Sequence, residues 1–175
     1  LIHGGQDNGK PVTLPHDASV ARPRDSREPN GSGNGFFVEE NCYYTKEFLV
    51  DEADKDKNVW LEFEGIYQNA FIYINHSYAG QCPYGYSNFY IDATKFIRFG
   101  EKNLVKAVVK NGVPSGRWYT GGGIYRDVNL MISDRMHLIP DGIHLSCVDL
   151  EEGQAVIRAE STLEYTGCHT RDVVL

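Results

Sequence analysis

Alternation of apolar and polar side chains recurs along most of the chain, and it constrains the fold more than any other feature. Val59, Leu61 and Phe63 fall on one side of an extended segment, with Trp60, Glu62 and Glu64 on the other. Tyr43 to Val50 alternates in the same way. Asn103 to Asn111 sets Val105, Ala107 and Val109 against Lys106, Val108 and Lys110. NAFIYIN, Asn69 to Asn75, is apolar on both faces, as a strand covered on both sides would be. No segment sustains a helical stripe beyond about two turns. The best helical candidate is DATKFI, Asp92 to Ile97, with Asp92 as N-cap and Gly100 beyond its end. Short strands between Gly, Asn, Asp and Pro clusters predict an all-β fold, an antiparallel jelly-roll β-sandwich.

Arg22 to Gly35, RPRDSREPNGSGNG, has almost no apolar side chain and reads as a long surface loop. Beyond Asp134 the texture changes. Ile143 to Leu150, Gln154 to Tyr165 and Arg171 to Leu175 read as three further strands behind Pro140. So short a stretch cannot enclose a core of its own, whereas an immunoglobulin-like sandwich needs about seven strands and roughly 100 residues. The expected organisation is a jelly-roll domain over residues 1–135 and the beginning of an immunoglobulin-like sandwich over 136–175.

A net charge of −7 with no basic stripe argues against nucleic acid as a partner. Apolar runs fall far short of the roughly 20 residues that cross a bilayer, so no membrane partner is expected. No charged-then-apolar leader is visible, which favours a cytoplasmic location as an expectation, while a first residue of Leu in place of Met leaves open a natural start, with any signal peptide, further upstream. Cys42, Cys82, Cys147 and Cys168 form no C-x-x-C pair and are expected to be free buried thiols. His3, His16, His76, His137, His144 and His169 show no ligand-like spacing, and no metal or cofactor is expected.

Six landmarks then line up: LPHD (Leu14 to Asp17), YYTKEF (Tyr43 to Phe48), VWLEFEGIYQNAFIYIN (Val59 to Asn75), AGQCPYGYSNFYIDAT (Ala79 to Thr94), KNLVKAVVKN (Lys102 to Asn111) and RWYTGGGIYRDVNL (Arg117 to Leu130). In this order they resemble the N-terminal sugar-binding domain of glycoside hydrolase family 2, which holds β-galactosidases, β-glucuronidases and β-mannosidases. The fold implied is a galactose-binding-domain-like jelly roll. Family members often carry Trp after the His-Asp pair, where this chain has Ala18, and Asn-Gly where it has Asn75-His76. The resemblance implies that the catalytic carboxyls lie elsewhere, on a TIM barrel after the second domain. Retaining hydrolysis needs two carboxyl groups about 5–5.5 Å apart. The look-alikes here are poor: Glu39-Glu40 and Glu151-Glu152 are sequence neighbours facing opposite ways, and Glu62 with Glu64 reads as a solvated sheet face.

In PSGRWYTGGGIYRDVNL, Pro114 to Leu130, three glycines follow Arg117, Trp118 and Tyr119. A continuous strand from Ile124 would put Arg126 among Ile124, Val128 and Leu130, which reads as a buried or interfacial ion pair, with Asp17 or Asp92 as candidate partners and ligand contact as the alternative. The resemblance places Arg117, Trp118 and Tyr119 on a loop directed to the mouth of the barrel, as substrate-binding residues. Their chemistry suits a sugar, since aromatic faces stack on pyranose C–H groups and a guanidinium offers five fixed donors. Packing against a neighbouring domain is the alternative. Tyr84 and Tyr86 offer a second small stacking platform, with sheet-edge packing as its alternative. The implied partners are carbohydrate and the downstream domains of the same polypeptide, with homo-oligomer contacts left open. The implied function is the non-catalytic module of a β-glycosidase, β-galactosidase foremost and β-glucuronidase next. An autonomous lectin-like module is the competing class.

Overall fold

The computed structural model describes residues 9–111, 120–170 and 172–173. All of its regular structure is β-strand or single 3₁₀ turn. In chain order the strands are β1 (Cys42–Leu49), β2 (Asn58–Phe63), β3 (Ile66–Tyr67), β4 (Ala70–Ile74), β5 (Ser77–Cys82), β6 (Phe89–Asp92), β7 (Lys102–Val109), β8 (Gly123–Ile124), β9 (Val128–Ser133), β10 (Met136–Glu151) and β11 (Gln154–Tyr165).

Two antiparallel sheets face each other. One has the order β1-β7-β4-β5, the other β6-β2-β9. The alternation dictates this layering. Val59, Leu61 and Phe63 of β2 are buried, and they meet Ala70, Ile72 and Ile74 of β4 and Ala107 and Val109 of β7 in one apolar cluster. The central position of β4 explains why NAFIYIN is apolar throughout. Its outer face carries Phe71 under the Lys110 ammonium and Tyr73 edge-on to Tyr78.

Asn75 and His76 take φ values of 48° and 69°, the primed turn that joins β4 to β5. Beneath it, buried Asn103 uses its whole side chain. Oδ1 accepts from Arg98 N–H and Asn75 Nδ2, both at 2.8 Å, while Nδ2 donates to the Arg98 and Glu101 carbonyls. Such a buried amide is stable only because each lone pair and N–H finds a partner.

Three expectations are corrected. The segment at Asp92 forms one 3₁₀ turn, Thr94–Phe96, in place of a helix. Asp92 does cap it, accepting from Thr94 N–H at 3.0 Å, but Ala93 N–H and Thr94 Oγ1 are both tied to the Val59 carbonyl and hold the chain against the sheet. Of the cysteines, Cys42 and Cys82 are buried thiols, whereas Cys147 and Cys168 are exposed ones. Past Asp134, β10 starts ahead of Pro140, not behind it, and absorbs the proline in a register shift between Leu138 and Ile143. β10 and β11 form a long hairpin; Asp172 and Val173 are not in a strand, and the rest of the third predicted strand is largely outside the described residues.

The hairpin is amphipathic. Leu145 faces Ala159, Cys147 faces Ile157 and Leu138 faces Leu163 across the register; His137, His144 and Ser146 face Glu164, Glu160 and Arg158 on the other side. Asn58, buried at the start of β2, joins it to the sandwich. Its Nδ2 donates to the Asp134 carbonyl at 3.0 Å, and its Oδ1 accepts from Thr166 Oγ1 at 2.8 Å.

Candidate functional site around Gly121–Gly123

The predicted contact residues Arg117, Trp118 and Tyr119 lie outside the described residues. The glycines that follow them in sequence are described, and Gly122 and Gly123 are closely packed. Asn111, buried at the end of β7, donates through Nδ2 to the Gly121 carbonyl at 2.9 Å. Gly122 packs so closely that a Cβ there would fall on the Asn111 amide. Gly123, at φ 111°, lies directly under the Tyr44 hydroxyl. The LPHD segment runs alongside as a latch: His16 N–H donates to the Ile124 carbonyl and Ala18 N–H to the Gly122 carbonyl, both at 2.7 Å. Asp17 Oδ1 accepts from the Ser19 and Val20 N–H groups and fixes the turn. His16 Nδ1 meets the Tyr44 hydroxyl at 3.0 Å.

These glycines are therefore required by close approach. A larger residue at 122 or 123 would displace the latch. Burial shapes the electrostatics. It pushes the Tyr44 hydroxyl far up, with Cys42 adding to the effect. It pushes the His16 imidazole down, against the opposing pull of the Asp17 carboxylate. The pair rests neutral and hydrogen-bonded, suited to holding a shape and not to moving protons.

The same end of the sandwich carries a row of tyrosines. Tyr67 pairs with Gly123 in the β3–β8 ladder. Its ring lies 5.1 Å from that of Tyr86, which lies 5.8 Å from that of Tyr84. Tyr84 and Tyr86 are both exposed. Gly85 allows this stack, since a Cβ there would fall on the Tyr67 ring, and the Tyr125 hydroxyl donates to the Gly85 carbonyl at 2.7 Å. The platform read from Tyr84 and Tyr86 thus exists as a surface. Tyr67 and Tyr125, which support it, were missed by sequence reasoning; the available signal was Gly65 and Gly85, each closed over by a tyrosine ring.

Arg126 is a correction. The chain bends between β8 and β9, so the alternation from Ile124 is interrupted and Arg126 is exposed, its guanidinium 5.9 Å from the centre of the Tyr125 ring. The two carboxylates proposed as its partners serve as local caps at Ser19 and Thr94.

The carboxylate pairs are all engaged structurally or lie far from this end. Glu40 pairs with Arg22, and Glu39, held above the ordinary carboxyl range by burial, accepts from Asn30 at 2.7 Å. Asn129 Nδ2 bridges Glu62 and Glu64 at 3.0 and 3.2 Å. Their neighbour Tyr90 is pushed up to about 12 by burial first and by Glu62 and Asp141 next. Glu151 and Glu152 sit at the exposed tip of the hairpin. Among the described residues, no three His, Cys, Asp or Glu side chains are grouped to hold a metal ion.

Residues 28–133 match the family model described as glycosyl hydrolases family 2, sugar binding domain. The chain belongs to glycoside hydrolase family 2. Within the family it is similar to the beta-galactosidase BoGH2A of Bacteroides ovatus, 35% identical over 153 residues, a match covering 87% of this chain and 18% of that protein. It is also similar to a beta-glucuronidase of Bacteroides fragilis, 32% identical over 146 residues, covering 79% of this chain and 20% of the relative. The crystal structure of a family 2 member from Bacteroides cellulosilyticus superposes with a TM-score of 0.86 at 31% identity, over 93% of this chain and 23% of that one. The chain thus spans about a fifth of the length of the family 2 proteins it matches. The β-sandwich and the family's sugar-binding domain are both established by these likenesses.

Proposed function

We propose that this chain is the non-catalytic sugar-binding and scaffold module of a retaining β-glycosidase, a β-galactosidase in preference to a β-glucuronidase. In the full-length protein, Arg117, Trp118 and Tyr119 would line the mouth of a barrel that carries the two catalytic carboxyls. The observation that supports this reading is the close packing of Gly122 and Gly123, which follow Arg117, Trp118 and Tyr119 in sequence, with Gly123 paired to Tyr67 of the exposed tyrosine row. A closely packed base suits neighbouring residues that must hold a contact geometry. The carboxylates that bridge to Asn129 or pair with arginine are already committed to structure, which supports a non-catalytic role.

The domain boundary near residue 135 belongs to this reading as well. The apolar face of the hairpin has the register of a sandwich strand pair awaiting an opposing sheet, which suits the opening of an immunoglobulin-like second domain.

Nitrophenyl glycosides test the proposal directly. The 175-residue chain should give no turnover, whereas the full-length protein should cleave the β-galactoside faster than the β-glucuronide. Active-site-dependent hydrolysis by the chain alone would overturn the module reading. Preference for the glucuronide would transfer the parent to the other enzyme class, with Arg117 as the carboxylate reader.

The exposed Tyr84–Tyr86 pair favours a second reading, an autonomous carbohydrate-binding module. Calorimetry separates the two. A contact finger lacking its barrel should bind monosaccharides at ~1 mM or weaker, because about a dozen heavy atoms at ~0.3 kcal/mol each give only ~4 kcal/mol. A dissociation constant in the low micromolar range would establish the autonomous module.

A further inference from the structure

The loop of residues 22–41, polar almost throughout in sequence, is folded back on itself. Asp25 N–H donates to the Phe36 carbonyl at 3.0 Å and Phe36 N–H to the Gly31 carbonyl at 2.9 Å. At its centre Asn34, the last residue of the 3₁₀ turn Gly31–Asn34, is 0% exposed. Its Nδ2 donates to the Phe37 carbonyl at 2.9 Å, but its Oδ1 is buried without a donor among the described residues. Buried amide oxygens are nearly always partnered, so this one points to a group that the chain does not itself supply.

The same side chain lies against the carboxyl of Glu39. Burial holds that carboxyl above the ordinary range, and the nearby Glu28 carboxylate pushes it the same way. Asn30 Nδ2 donates to Glu39 Oε2 at 2.7 Å. Two half-buried carboxylates and two amide side chains thus share one loop. No side chain balances their charge. Among the described residues neither Glu28 nor Glu39 forms an ion pair, because the three arginines of RPRDSR are engaged elsewhere. Arg22 pairs with Glu40, Arg27 pairs with Asp25, and the Arg24 guanidinium sits 4.7 Å from the centre of the Phe37 ring.

We propose that this loop binds a calcium ion, held by the Glu28 and Glu39 carboxylates and by Asn34 Oδ1. Two carboxylates match one divalent charge, and the ion supplies both the partner that Oδ1 lacks and the neutralisation that the pair of glutamates lacks. Calcium takes six to eight oxygen ligands in flexible geometry, so loop carbonyls and water complete the set. Magnesium demands near-ideal octahedral geometry and sheds water reluctantly, which suits a buried amide oxygen less well. Zinc prefers nitrogen and sulfur, and residues 22–41 contain no His or Cys. The set relies on an amide oxygen as well as carboxylates, and so needs no group of three acidic or imidazole side chains. It is independent of any sugar contact.

The test uses the 175-residue chain and the full-length protein, each stripped of metal with a chelator. Calorimetry with calcium chloride should show one site per chain with a dissociation constant of order 10⁻⁴ M. At about 5 mM calcium, against potassium chloride of equal ionic strength, Tm should rise by about 3 °C or more. The amides of Gly31, Gly33, Gly35 and Phe36, which bond within the loop, should exchange about tenfold more slowly. Glu39→Gln keeps an acceptor for Asn30 but removes the charge. It should raise the Tm of the metal-free chain slightly and abolish the response to calcium, a combination that loss of fold would not give. Glu28→Gln should weaken binding about tenfold, and Glu151→Gln, at the hairpin tip, should change nothing. No calcium-specific effect in either protein would overturn the proposal. An equal response in Glu39→Gln would make it a general ionic effect and refute the site. An equal response to magnesium at the same concentration would refute the calcium assignment.

Discussion

Gly123 is where a single atom decides most. Its φ of 111° is a conformation that side-chain-bearing residues avoid, and the space a Cβ would take belongs to the Tyr44 hydroxyl. Backbone strain and steric conflict add, so Gly123→Ala should destabilise the chain by about 3 kcal/mol or more, read as a fall in Tm. Gly33, whose Cβ would meet nothing within contact range, is the control, and Gly33→Ala should leave Tm nearly unchanged. His16 supplies a prediction of a different kind. Burial lowers its folded pKa below the ordinary ~6.5 of a free histidine. The unfolded chain therefore binds a proton first as pH falls. The stability contributed by neutral His16 is complete above about 6.5, declines as pH drops below that value, and is lost once pH has passed the folded pKa. His16→Asn should flatten the slope of stability against pH in that window; an unchanged slope would mean that another group is titrating.

At the scale of elements, the β4–β5 turn shows what a single position costs. His76 sits at φ 69°, exposed, in a turn whose geometry favours glycine. His76→Gly should raise stability by about 1 kcal/mol in chemical denaturation, because the left-handed conformation costs a side chain that much while the Asn75–Asn103 network beneath stays intact. The strands themselves were legible because each buries one face, as β2 does with Val59, Leu61 and Phe63. Elements fixed from outside were not. β3 and β8 have only two residues each, paired across a long stretch of sequence, and no local pattern marks them. The same bend that ends β8 carries Arg126 into solvent, which period-two counting across Ile124 to Ile132 could not show. The Asp92 segment has a cap and a following glycine, yet its backbone is held by Val59 from another strand. At the site, the glycine run stood out in the sequence, but the latch from His16 and Ala18, and the tyrosines packed over Gly65 and Gly85, depend on contacts between distant segments.

On the scale of the whole molecule, the sandwich and the hairpin differ in what holds them. The sandwich closes on an apolar cluster contributed by both sheets. The hairpin exposes its apolar side, with Leu145 71% and Ile157 57% accessible, and is held to the sandwich through Asn58. Its two strands pair with each other, but an uncovered apolar strand pair is a surface on which chains associate. Leu145→Lys combined with Ile157→Glu should therefore leave the Tm of the 175-residue chain within about 1 °C while lowering its tendency to self-associate in sedimentation or light scattering. The two positions lie on the same face, and opposite charges avoid simple repulsion across the ladder. If the hairpin opens an immunoglobulin-like second domain, as proposed, the same pair of changes should lower the Tm of that domain in the full-length protein by several degrees, because each charge would then be buried under an opposing sheet. If both proteins tolerated the substitutions equally, the exposed side of the hairpin would have no cover in either, and an immunoglobulin-like second sandwich beginning at residue 136 would have to be abandoned.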